Sequence, residues 1–138
     1  LEFFEEELMS TNSGIALRAG ETFTTIYCHW NGHPKDMLPI LMEHYNSFEL
    51  ANKLISMGDA SIIEAKIDPD PAKPHDFDNY QEDVCVFYHR DRGDDWLSCQ
   101  PACYTKSELF KVPAFDYVYI FEDGTWNAYN MNGGKIKV

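Results

Sequence analysis

Residues 115–131 read FDYVYIFEDGTWNAYNM. Two runs rich in aromatic and β-branched residues flank the dipeptide Asp123-Gly124. Asp-Gly tolerates the positive φ angles of a tight turn whose twist matches the strands, so the stretch predicts a β-hairpin. After Gly133-Gly134, KIKV is a candidate final edge strand. Near the start of the chain, 15–18 and 22–28 read as two strands joined by the Gly-containing loop Ala19-Gly20-Glu21. Thr22, Thr24, Ile26 and Cys28 then share one face, and Phe23, Thr25 and Tyr27 the other. DVCVFYH at 83–89 is a strong strand candidate. Residues 61–67 are ambiguous, and Trp96 to Ser98 are a candidate for renewed pairing.

Between the strands, Asp36 is placed as the N-cap of a helix over 37–45. Leu38, Leu41, Met42 and Tyr45 fall on one face, with Pro39 still in the first turn. Asn46 and Glu49 form a capping-box-like pair for a second helix, with Leu50, Leu54 and Met57 on one face and Gly58 as its stop. Thr105 and Glu108 bracket a short helix reaching Lys111. Regular βα alternation is absent. The pattern predicts an α+β fold: an antiparallel sheet built from hairpins with two consecutive helices packed on one face.

The 138 residues, 44% hydrophobic and 14% aromatic, suit one domain with one sizeable core. Residues 1–8, LEFFEEEL, read as a tag or flexible prefix, and 9–138 as a single α+β domain. Within it, 68–83 carries Pro69, Pro71 and Pro74, five aspartates and Glu82. A loop of that length is either functional or inserted. Asp plus Glu number 23 against 11 Lys plus Arg, a formal net charge of −12, and removing the prefix leaves −8. That field repels phosphate backbones and anionic lipid, so direct nucleic-acid binding and membrane binding are not expected. Basic protein surfaces are attracted instead. No apolar run approaches the ~18 residues of a membrane span, and no signal-peptide pattern occurs. Four scattered cysteines suit a reducing, cytoplasmic setting.

Two polar clusters carry the functional expectations. In IYCHWNGHP, residues 26–34, a strand run ends in His29, Trp30, Asn31 and His33. In YHRDRGDD, residues 88–95, His89, Arg90 and Arg92 form a cationic island in an anionic chain. Together they are candidates to line a ligand pocket, with Trp and His stacking and Arg forking onto a carboxylate or phosphate. The competing reading makes 88–95 a salt-bridged turn in which the arginines meet Asp91, Asp94 and Asp95. Cys28, His33, Cys99 and Cys103 have the atom types for zinc, but adjacent Cys28 and His29 project to opposite faces and the spacing is a poor match, so no metal and no cofactor is expected. His-Arg-Asp superficially matches a kinase catalytic loop, yet Trp96 stands where its asparagine belongs. No Gly-rich phosphate loop and no Gly-x-Ser-x-Gly occurs, so no catalytic residue is assigned. Asp76, Asp78, Asp91, Asp94 and Asp95 are the candidate outward carboxylates for a protein partner.

The motifs YCHWNGHP, LMEHY (41–45), LISMGD (54–59), FYHRDRGDD (87–95) and YVYIFEDGTW (117–126) resemble a family of small bacteriophage and prophage proteins with no established activity. The resemblance spans about 26–126, and the acidic 68–83 region is longer here than in the family pattern. It implies a phage-encoded accessory protein that binds and inhibits a host or bacterial defence protein with a basic surface, by mimicking nucleic-acid charge. The alternative is a pocket protein that binds or hydrolyses a small ligand or nucleotide.

Overall fold

A computed structural model describes residues 10–137, so the prefix over 1–8 lies outside the described residues. β1 (Ser13–Ala19) and β2 (Thr22–Cys28) pair antiparallel along their whole length around Gly20-Glu21. α1 (Pro34–His44) starts three residues before the expected 37. Its N-cap is His33 and not Asp36: the His33 ring accepts from the Lys35 N–H, Pro34 fills a first position that needs no N–H, and Asp36 lies in the first turn. α2 (Phe48–Ser56) is capped by Ser47 and not Asn46, the hydroxyl accepting from the Leu50 N–H. Then come β3 (Ala60–Ile62), β4 (Val86–Phe87), the single turns α3 (Tyr88–Arg92) and α4 (Trp96–Cys99), and β5 (Ala102–Tyr104). α5 (Lys106–Leu109) carries the expected Thr105/Glu108 capping box. β6 (Tyr117–Glu122), β7 (Thr125–Asn130) and β8 (Lys135–Ile136) close the chain.

The fold is α+β. The 115–131 signal is realised as β6 and β7, antiparallel around Asp123 and Gly124 at φ 52° and 80°. The sheet, however, is mixed and not wholly antiparallel. Its order is β4-β3-β2-β1-β6-β7-β8, with β5 also against β2, and β1–β6 and β2–β3 run parallel. A hairpin sets direction only between its own two strands. The two helices take the chain away from the end of β2 and return it beside Cys28 running in the same direction, a crossover that makes β3 parallel to β2.

The 83–89 strand is also shorter than its composition suggests. Only Val86 and Phe87 join the sheet, beside an isolated bridge from Lys66 to Val84. Pairing with β3 shifts register, and the Phe87 N–H is taken by the Asp91 carboxylate at 2.8 Å, which turns the chain into α3. Trp96 to Ser98 lie in α4 and do not resume pairing.

α1 and α2 bury Met37, Leu41, Tyr45, Ala51, Leu54 and Ile55 against Ile15, Ile26, Tyr119 and Trp126 on one sheet face. The opposite face is covered by Leu109 of α5 and by Phe115, packed on Ala16, Phe23, Val118 and Ile120. Among the described residues no helix is long and apolar enough to cross a membrane.

Candidate functional site

The outer edge of β2 is shared. β5 occupies it at Phe23 to Thr25 and β3 at Cys28, and between them the Tyr27 N–H donates to Asp59 Oδ1 at 2.9 Å. The Asp59 backbone ties the end of α2 to two other segments, its N–H donating to Cys99 O and its C=O accepting from the Tyr88 N–H. Burial pushes the Asp59 carboxyl up to about 6, against the downward pull of the Tyr27 N–H. Its unfolded value, 3.8, is lower. The folded chain therefore holds a proton there that the unfolded chain has lost, and stability falls as pH rises through that interval. Asp59→Asn keeps an oxygen for Tyr27 and removes the charge. It is expected to stabilise the protein by about 1–2 kcal/mol at pH 7, after discounting for partial exposure. The gain should vanish toward pH 4, which paired thermal melts across that range will read.

Beyond β2 the chain keeps following β3, His29 N–H donating to Ala60 O and Trp30 N–H to Ser61 O at 3.1 and 2.9 Å. His29 turns to Tyr27, whose hydroxyl lies 2.7 Å from His29 Nδ1, with Asn12 Nδ2 at 3.3 Å. Asn31 adopts φ 56°, and Gly32 presses on the start of the chain. A Cβ at Gly32 would fall 2.7 Å from Thr11 O, and the Gly32 carbonyl accepts from the buried Tyr119 hydroxyl at 2.6 Å. So the Asn-Gly dipeptide is a close crossing of two backbones. His33 caps α1 and packs edge-on against Tyr117. The expected rim is thereby divided: Trp30 and Asn31 line a cleft, while His29 and His33 face other neighbours.

The cationic island is divided too, because one helical turn fans its side chains apart. His89 Nδ1 sits 2.8 Å from Asp94 O, its ring against Trp96. The Arg92 guanidinium lies 4.8 and 4.5 Å from the Phe77 and Tyr88 ring centroids and is held by both Asp94 oxygens at 2.8 and 2.7 Å. This pairing holds the Asp94 carboxyl below the usual carboxylate range.

Arg90 points inward and is not a pocket residue. It donates to Ile67 O at 2.6 Å, to Cys85 O at 3.0 Å and to both Asp91 oxygens. Asp91 is correspondingly buried, its side chain 3% exposed, and is not an outward carboxylate. His75 completes this clasp. Its Nδ1 accepts from the Gln81 N–H at 2.9 Å, which leaves its proton on Nε2, 3.2 Å from Cys85 O and 3.4 Å from Asp91 Oδ2. Gln81 bonds both backbone groups of Asp70, and Asp76 Oδ1 accepts from the N–H groups of Asp78 and Asn79. Residues 68–83 thus follow a fixed path with no regular helix or strand. The salt-bridged-turn reading of 88–95 describes this region best.

The clasp delivers two aromatic side chains that sequence reasoning passed over. Phe77, anchored by its N–H on Asp91 O at 2.9 Å, and Tyr80 meet Trp30, Asn31, Ser61, Ile62 and Val86 around a cleft of about 370 Å³. The available signal was two aromatics in a Pro- and Asp-rich loop, where rings must be either buried or used. The stretch of chain that supplies Phe77 and Tyr80 is acidic: 64–95 holds ten carboxylates against four basic residues. Asp76, Asp78 and Asp95 are exposed, as are Asp68, Asp70, Glu82 and Asp83, with Asp68 paired to Lys53.

The weighed zinc ligands do not converge. Cys28 is buried with its thiol toward Trp30 O, burial pushing it up to about 12. Cys99 faces Asp95 O, Cys103 sits exposed beside Thr24, and His33 caps α1. Among the described residues no group of three or more His, Cys, Asp or Glu is placed to hold a metal ion.

Fold and site together define a small α+β domain with an aromatic cleft, two of whose rings come from an acidic segment of the chain. No family model, curated protein or solved structure matches the chain.

Proposed function

We propose that this chain is a binding protein that occupies a basic surface on a protein partner through its 64–95 segment. The carrying observation is that half of the chain's formal net charge of −12 lies on this one segment, ten carboxylates against four basic residues, and that the Arg90–Asp91–His75 clasp around the buried Asp91 carboxylate holds the segment in a fixed path. A pre-organised anionic surface loses little entropy on docking and gains electrostatic steering. The resemblance to phage accessory proteins supplies the setting: a bacterial cytoplasm, and a host or defence protein whose basic channel normally holds nucleic acid. The pocket reading that relies on His33 and Arg90 is less well supported, since one is a helix cap and the other a structural clasp.

The test is affinity for a retained host or defence protein as salt is raised. Binding is expected to weaken about tenfold or more between ~0.1 and ~0.5 M salt. The combined Asp76→Asn, Asp78→Asn and Asp95→Asn variant should weaken it at low salt while leaving the melting temperature unchanged. Affinity indifferent to both salt and these substitutions would sink the proposal.

A further inference from the structure

We propose that the cleft among Trp30, Phe77 and Tyr80 is an anchor pocket for one arginine side chain of the basic partner, an assignment that rests on the binding reading above. Three rings from two separated segments, the end of β2 and the 68–83 loop, are brought to one cleft. Trp30 is set by the β3-side ladder through Ser61 O, and Phe77 by its N–H on Asp91 O. Tyr80 follows the Asp76 turn and is 62% exposed, too open for a core role.

The cleft is mostly apolar. Asn31 and Ser61 are its polar side chains, and no Lys or Arg lines it. An aromatic-walled space of this kind, set in a negative field, attracts a cation that stacks on ring faces. Guanidinium suits it better than ammonium, because it is planar and more weakly hydrated and so enters an apolar space at lower desolvation cost. Asn31 Oδ1 supplies an acceptor, and exposed Asp76 and Asp78 flank Phe77 in the sequence.

The protein already uses this chemistry on the same ring. Arg92 lies against Phe77 and Tyr88, with its charge matched by the bidentate Asp94, so the site remains net attractive to a second guanidinium. A nucleobase would also fit between rings. Its attached phosphate, however, would meet the carboxylates of 64–95, so the charge favours the peptide.

The experiment measures binding of a short Arg-Gly-Ser peptide by calorimetry, beside twins with citrulline or lysine in place of arginine. The arginine peptide is expected to bind about tenfold more tightly than the citrulline twin, with lysine between. Tyr80→Ala and Trp30→Ala, each confirmed folded by its melting transition, should weaken the arginine peptide about tenfold, and this loss should persist at high salt. Asp76→Asn with Asp78→Asn should weaken it only at low salt. Salt-sensitive binding that ignores both ring substitutions would overturn the pocket and leave the anionic-surface reading intact. Ring-dependent binding that ignores salt and the aspartate substitutions would do the reverse. Equal binding of the citrulline twin, or adenosine binding more tightly than the arginine peptide, would also overturn the assignment.

Discussion

Asp91→Ala is expected to destabilise the protein by about 3–5 kcal/mol, the usual consequence of breaking a buried ion pair by deleting one partner. For a domain of this size that is a fall of ~10–20 °C in melting temperature. Three losses combine. The partly buried Arg90 guanidinium keeps its carbonyl partners, Ile67 and Cys85, but loses the Asp91 carboxylate. The Phe87 N–H loses its acceptor at the point where β4 becomes α3. His75 loses the carboxylate facing its Nε2. Asp91→Asn preserves an acceptor for Phe87 and should fall between the variant and the native chain. Hydrogen exchange distinguishes a clasp from generic burial: in Asp91→Ala, amides of 68–83, such as Asp70 and Gln81, should lose protection out of proportion to the global change. A melting temperature within a few degrees of the native value, or a fully protected loop, would show that something else fixes 68–83. By contrast, Arg92→Ala should leave stability nearly unchanged, since its pair with Asp94 is solvated.

Trp126→Ala should be comparably severe, about 3–5 kcal/mol, through a different mechanism. Trp126 is 3% exposed, packs at 5.4 Å between centroids on Phe121, and donates from Nε1 to Tyr45 O at 2.9 Å. That bond is a second one to the carbonyl of the C-cap of α1, beside the Ser47 N–H, and joins the helix end to β7. Alanine leaves a cavity where the two layers meet and removes one of the two donors to the Tyr45 carbonyl, which keeps the Ser47 N–H at 2.9 Å. Trp126→Phe restores most of the volume without the N–H, so its smaller loss, roughly 1–2 kcal/mol, isolates the hydrogen bond and residual void. Equal losses for the two variants would mean that packing contributes little at this junction.

Much of the fold was legible because it is local. The β1–β2 and β6–β7 hairpins follow from turn chemistry, and the α5 capping box from Thr105 and Glu108 three residues apart. Shifts at the two long helices are also local: Asp36 and Asn46 are good caps on paper, but His33 before Pro34 and Ser47 before Phe48 had the usable geometry. The site was much less legible. His29, Trp30 and His33 are neighbours in the chain and diverge in space, whereas Trp30 is distant in the chain from Phe77 and Tyr80 and converges with them.

The sequence by itself determined the layer types, the hairpins, and a surplus of carboxylates concentrated between 64 and 95, since each depends on residue type and on neighbours a few positions away. Tertiary structure alone decided which strands run parallel, that Asp91 turns inward while Asp76 and Asp78 stay in water, and that a cleft forms between a strand end and a loop some fifty residues on. The physical reason is one of range. Capping and turn preferences act across a few residues, but the fate of a charged side chain is set by whatever partners burial brings to it, and here Arg90 and His75 are the partners that meet Asp91.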